Sequence, residues 1–178
     1  MQIAIEILEG CRRQERTAQA ALYQLCYPTL MRVALRYAAN VADAADILNR
    51  GFFKVFTKID QFTGTEQNFG GWIRRIIVNE ALDFVKANPA FKKHEDLDAA
   101  AHIGEHPASV HEEAAQDILH LLHLLPLTTA TVFNLFALEG YSHQEISARL
   151  DISEVNSKWH LHSARQQLKR LLRQTTAL

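Results

Sequence analysis

The 178-residue sequence predicts an all-α chain. Two small helical domains, an N-terminal helical bundle and a C-terminal helix-turn-helix bundle, are joined by a flexible linker. Three observations carry this reading. Gly and Pro are scarce, at 7 and 4 residues, and apolar residues recur at three and four rather than in alternation, as on helices that bury one face. Between two such periodic blocks, residues 89–109 hold acids, histidines and alanines without a sustained stripe, the composition of a tether. Charge divides in the same way. Residues 1–88 carry eleven Lys and Arg against nine Asp and Glu, residues 89–116 two against six, and residues 117–178 six against five. A formal net charge of −1 therefore hides an acidic middle and a basic end.

Taken in order, residues 3–8 read as a short helix stopped by Gly10. A second helix begins near Arg13 and turns Leu22, Leu25 and Cys26 inward. Pro28 is expected to kink or restart it, with Leu30, Val33, Ala34 and Tyr37 continuing the apolar face. After Asn40 a third helix fits residues 41–59, burying Ile47, Leu48, Phe52, Val55, Phe56 and Ile59. The stretch QFTGTEQNFGG, residues 61–71, reads as a loop before a fourth helix over residues 72–88, where Trp72 and Ile76 belong to the core. Periodicity returns from Val110 through Ile118, Leu121, Leu122 and Leu125. Thr128 is the expected N-cap of the next helix and Gly140 its stop.

The last block is the most informative. Ser142 and Glu145 have capping-box spacing, and Ile146, Ala148 and Leu150 form one apolar stripe. Asp151-Ile152-Ser153 breaks the pattern, and Ser153 is a good N-cap for a second helix. In that helix Leu161, Ala164, Leu168 and Leu171 turn inward. The other faces carry Lys158, His160, His162, Arg165, Lys169, Arg170 and Arg173, with no acid after Glu154. A helix-turn-helix with a basic second helix places side chains in a DNA major groove. An amphipathic hairpin with a solvated cationic face fits the same pattern.

Several classes are set aside. Cys11 and Cys26 are too few for a disulfide framework. The N-terminus has acids where a secretory signal has bases, and no apolar run approaches the roughly 20 residues of a membrane span, so the cytoplasm is the expected location. His102 with His106, and His120 with His123, have helical metal-ligand spacing near His111, yet no Cys ligand or HExxH motif completes a site. With no Ser-His-Asp arrangement or Gly-rich phosphate loop, neither catalytic residues nor a metal or cofactor are expected, and the protein is not expected to be an enzyme.

Two separated blocks resemble the two domains of an extracytoplasmic-function sigma factor, the smallest kind of bacterial transcription initiation factor. The first block is ALYQLCYPTLMRVALRY, ADAADILNRGFFKVF and WIRRIIVNEALD. The second is LPLTTATVFNLFALEGYSHQEISARLDIS with the following helix that bears Lys158, Leu161, Ala164 and Arg165. Both stand in the family's order and at its separation. The resemblance implies that residues 1–88 bind the β and β′ subunits of core RNA polymerase and melt the downstream promoter element. By the same resemblance, residues 89–109 are the linker and residues 110–178 read the upstream element. The polymerase face is Asp43, Asp46, Asn49 and Arg50, although the family usually has an acid at Arg50 and often Gln at Asn49.

Phe62, Asn68 and Phe69 would wall a pocket for an unstacked base, beside Arg74, Arg75 and Asn79, each stacked base contributing about 1–3 kcal/mol. Asp83 also fits the family motif, while Val78 stands where many members carry Arg. Upstream contacts fall to Glu154, Asn156, Ser157, Lys158, His160, His162 and Arg165, the two cations positioning rather than specifying. Val155, Asn156, Trp159, His160 and Ser163 depart from the family in charge or bulk, which implies weak DNA binding by the isolated domain. Promoter DNA and an anti-sigma protein are the further partners the resemblance implies. A stand-alone helix-turn-helix regulator, or a degenerate sigma-like protein without promoter recognition, remain as the alternative readings.

Overall fold

The computed structural model describes residues 3–92 and 119–175, and among these there is no strand. The chain divides into two compact units between Phe84 and Val85. The N-terminal unit is built from α1 (Ile5–Arg12), α2 (Arg16–Leu35), α3 (Val41–Lys58), a short 3-10 turn (Ile59–Gln61) and α4 (Glu66–Ala87). A further helical turn, α5 (Pro89–Lys92), follows α4, and most of the expected linker over 89–109 lies outside the described residues.

Gly10 does not stop α1. It lies inside the helix, where a Cβ would sit 2.6 Å from the Ala18 Cβ, so glycine is there to let α1 and α2 approach. The stop falls at Gln14, which takes the left-handed conformation (φ 59°), while the Glu15 N–H returns to the Gly10 carbonyl at 2.9 Å, a Schellman-type closure. Nor does Pro28 interrupt α2. Its ring faces solvent, and Leu22, Cys26, Leu30, Val33 and Ala34 bury the opposite face on both sides of it, so packing carries the helix on past the missing donor. Leu25, expected inside, is exposed.

Asn40 caps α3, accepting from the Asp43 backbone N–H at 2.8 Å and donating back to the Asp43 carboxylate at 2.9 Å. Ile47, Leu48, Phe52, Val55 and Ile59 are buried as the stripe predicts, with Phe56 half-buried. The Lys54 ammonium pairs with the buried Glu80 carboxylate, tying α3 to α4, and lies 3.9 Å from Asp83.

In the second unit, residues 119–123 are helical. They precede α6 (Leu127–Phe133), whose last turn widens into a π-turn over Asn134–Leu138. Pro126, not Thr128, occupies the N-cap. Proline with extended backbone there needs no donor, and Thr128 is buried in the first turn instead. Gly140 ends the π-turn at φ +75°, and the Tyr141 N–H reaches back to the Leu135 carbonyl at 2.9 Å. Next come α7 (His143–Leu150) and α8 (Glu154–Thr175). Leu122, Leu125, Ala130 and Ala164 form the centre of this unit, with Phe133 and Leu168 packed against them.

Candidate nucleic-acid interface

The helix-turn-helix is assembled by short polar contacts. The Ser142 hydroxyl accepts from the Glu145 N–H, and the Glu145 carboxylate accepts from the Ser142 N–H at 2.9 Å, a complete capping box. Asp151 makes the turn in the left-handed conformation (φ 57°), which a short polar side chain tolerates better than most. The Ser147 hydroxyl donates to the Ile152 carbonyl at 2.6 Å, and the Ser153 hydroxyl accepts from the Asn156 N–H at 3.0 Å, capping α8. Ile146, Leu150, Leu161 and Ala164 are buried between the helices, but Ala148 is exposed. It lies two residues from both Ile146 and Leu150, about 200° around the helix and off their stripe.

The expected upstream-element residues separate into two sets. Glu154, Asn156, Lys158, His162 and Arg165 are exposed along α8, with Lys158 3.9 Å from Glu154. Ser157 is fully buried, with its hydroxyl 2.9 Å from His143 Nδ1. It joins α8 to α7. His160 is half-buried, its Nδ1 3.0 Å from the Thr129 hydroxyl, and so is held to α6. Ser157 and His160 thus each tie α8 to a neighbouring helix. Their helical positions looked outward, but His143 of α7 and Thr129 of α6 meet them on that side. The His143 ring also stacks on Phe136 at 4.6 Å. Burial, more than the nearby Lys158, holds its pKa below the ordinary histidine value.

In the N-terminal unit the loop before α4 is shorter than expected, because Glu66 to Gly71 are already helical. Phe62 and Phe69 are buried. Phe69 stacks on Trp72 with centroids 5.5 Å apart and planes 16° apart, and Phe62 lies 5.0 Å from Phe69 and 5.4 Å from Trp72. The Arg12 guanidinium donates to the Phe62 carbonyl at 2.9 Å, fixing the loop to α1. Gly64 lets the loop fold onto the ring, since a Cβ there would lie 2.7 Å from Phe62 Cζ. The aromatics thus anchor the loop. Asn68, Arg75 and Asn79 are exposed around this anchor, and Arg74 is partly buried. Trp72 and Ile76 are half-buried.

On α3, Asp46 and Arg50 form an ion pair at 2.7 Å, and Asn49 accepts from the Tyr23 hydroxyl at 3.1 Å. Asp43 is engaged in the Asn40 cap. Next to them stands Phe53, 70% exposed, an apolar point within a polar rim, as in docking surfaces. Sequence reasoning did not single it out. The signal was present, because Phe53 falls off the stripe set by Phe52 and Val55. Among the described residues no cluster of three metal-ligating side chains occurs. His120 is exposed and His123 partly buried, while His102, His106 and His111 lie outside the described residues. No described helix is long and apolar enough to cross a membrane.

The two units are thus a helical bundle with exposed polar and cationic side chains beside an anchored loop, and a capped helix-turn-helix. Comparison with known proteins narrows this. Residues 22–89 match the family model described as sigma-70 region 2, and residues 115–168 match that of sigma-70 region 4. The ECF RNA polymerase sigma factor SigE of Mycolicibacterium smegmatis is 29% identical over 144 residues, covering 78% of this chain and 55% of the relative. SigW of Bacillus subtilis is 28% identical over 166 residues, covering 85% and 83%. The chain thus spans about half the length of the first relative and most of the second. The fold is also that of CnrH in complex with the cytosolic domain of CnrY (19% identity, TM-score 0.50, covering 93% and 94% of the two chains). It is likewise that of RpoE in complex with the anti-sigma factor NepR from Bartonella quintana (21%, 0.53, covering 86% and 96%). The chain belongs to the extracytoplasmic-function family of RNA polymerase sigma factors, whose members are non-enzymatic regulators of transcription initiation.

Proposed function

We propose that this protein binds core RNA polymerase and directs it to a specific class of promoters. The observation that carries the reading is the pairing of a region 2 match with a region 4 match in one chain, each with most of its polar candidate residues at the surface. Residues 1–88 dock on the β and β′ subunits through Asp46, Asn49, Arg50 and Phe53. The same unit holds the downstream element open through Asn68, Arg74, Arg75 and Asn79. Residues 110–178 read the upstream element through the exposed side of α8, and residues 89–109 connect the two. Lys158 and Arg165 face the phosphates, where cations position a protein without specifying sequence. The Asp46–Arg50 pair presents both charges on one face, so the complementary polymerase surface needs an acid near Arg50. An anti-sigma protein that covers these surfaces is the natural regulator, as the solved complexes of CnrH with CnrY and RpoE with NepR suggest. The protein acts where the polymerase is, in the cytoplasm.

Transcription from a randomised promoter library by core polymerase, with and without the protein, tests this. Protein-dependent starts downstream of a shared two-block element are expected. Sequence-specific binding without polymerase would favour a stand-alone regulator, and polymerase binding with no starts would favour a sequestering protein.

A further inference from the structure

The outer side of α8 carries two apolar side chains that the polar account of promoter reading leaves unused. Val155 is 73% exposed and Trp159 47% exposed. They are four residues apart, hence neighbours on one helical ridge, and they lie in the first two turns. In a helix-turn-helix these are the turns that reach base edges. Leaving large apolar groups exposed to water is unfavourable for a free protein, and a partner that covers the ridge relieves that cost.

Its surroundings select the occupant. Asn156, Lys158, His162 and Arg165 are all exposed around the ridge, and from Glu154 to Arg173 the helix holds five Lys and Arg against one acid. An apolar strip flanked by cations matches a duplex, whose phosphate walls are anionic and whose major-groove floor offers one apolar group, the thymine 5-methyl. The indole is also held in place. Trp159 meets the His160 ring edge-on at 5.0 Å and 79°, and His160 is tied to Thr129 at 3.0 Å, itself 2% exposed. A ring braced from the core loses little freedom on binding.

We infer that Val155 and Trp159 form an apolar reading edge that recognises thymine 5-methyl groups in the upstream promoter element. The inference rests on the promoter-directing role proposed above. It gives the departures at these two positions a use: bulk stands where the resembled family usually has glycine and a small residue, and it adds methyl contact as a source of specificity.

The test uses the full chain with core polymerase on a promoter recovered from the randomised duplex library. Each upstream thymine is replaced in turn by deoxyuridine, which removes the methyl and keeps the pairing. Initial complex formation is then measured. At one or two positions the loss is about fourfold per methyl, and thymines in the spacer show no loss. Val155→Ala and Trp159→Ala each remove the sensitivity at one position while transcription from the thymine and uracil templates becomes equal. Both side chains are exposed, so each variant folds, which its helical circular dichroism checks. Val155→Ala gives a second reading free of any effect on His160. Uracil templates used as well as thymine templates would overturn the inference. So would a methyl sensitivity unchanged in both variants, or variants that lose only binding to a protein regulator. Failure of the library to yield any protein-dependent start is a different result: it removes the promoter-directing role itself, and the methyl-reading edge with it.

Discussion

Phe69→Ala separates the two roles open to the loop before α4, anchor or base-stacking wall. Phe69 is fully buried, stacked on Trp72 and packed against Phe62. Removing a buried phenyl ring costs about 3–5 kcal/mol, because the neighbours relax only partly into the cavity. For a unit of this size each kcal/mol lowers Tm by about 4–8 °C, so the expected drop is about 20 °C. Trp72 and Trp159 are the chain's two tryptophans. In a Trp159→Phe background, Trp72 fluorescence therefore reports this unit alone during urea unfolding. Phe69→Ala with Trp159 intact is assayed with polymerase for promoter opening below the unfolding midpoint. Asn68→Ala is the counterpart: being exposed, it shifts stability by no more than about 0.5 kcal/mol yet slows opening. The reasoning fails if Phe69→Ala unfolds at the wild-type midpoint while opening is impaired, since the ring would then contact a base and not the core.

Other outcomes follow from named contacts. Ser153→Ala removes the cap on the Asn156 N–H and lowers the stability of the second unit by about 1 kcal/mol. It weakens upstream-element use without changing affinity for core polymerase. Lys54→Met leaves the Glu80 carboxylate buried without its partner and costs about 1–3 kcal/mol, at the low end for a buried pair because Lys54 is half exposed. Lys54→Met with Glu80→Met recovers most of that in urea unfolding. Because burial lowers the His143 pKa from 6.5, the unfolded chain binds this proton more readily than the folded one. The stability His143 allows is therefore complete above pH ~6.5 and lost as pH falls from there toward the folded value. Unfolding of the second unit, read by Trp159 in a Trp72→Phe background, should show that loss, and His143→Gln should reduce it. Gly10→Ala drives a methyl into Ala18 and destabilises the first unit by about 1–3 kcal/mol despite its better helix propensity, as a thermal melt will register.

What was readable beforehand was what local chemistry determines. Ser142 and Glu145 need only their own spacing to make a capping box, and Ser153 needs only the turn before it. Both stand where expected. Apolar periodicity likewise placed Ile47, Leu48, Phe52 and Val55 in the core of α3. The misses share one cause: a residue's role depended on what another helix brought to it. Gly10 looks like a stop until α2 packs against it. Phe69 in a glycine-bearing stretch looks like a loop residue until Phe62 and Trp72 close around it. Ser157 and His160 sit at outward helical positions that His143 and Thr129 cover. Phe53 shows the reverse case, an aromatic that the stripe of its own helix already pushed outside.

The central claim is that each unit serves one promoter element and that both act only on polymerase. Permanganate footprinting of the holoenzyme on a selected promoter tests it most directly. Reactive, unpaired thymines are expected at the downstream element, lost in Arg75→Ala with Asn79→Ala while a parallel DNase I footprint still shows upstream protection, and neither signal is expected from the protein alone. Protection of both elements without polymerase, or thymine reactivity that survives that double substitution unchanged, would contradict it.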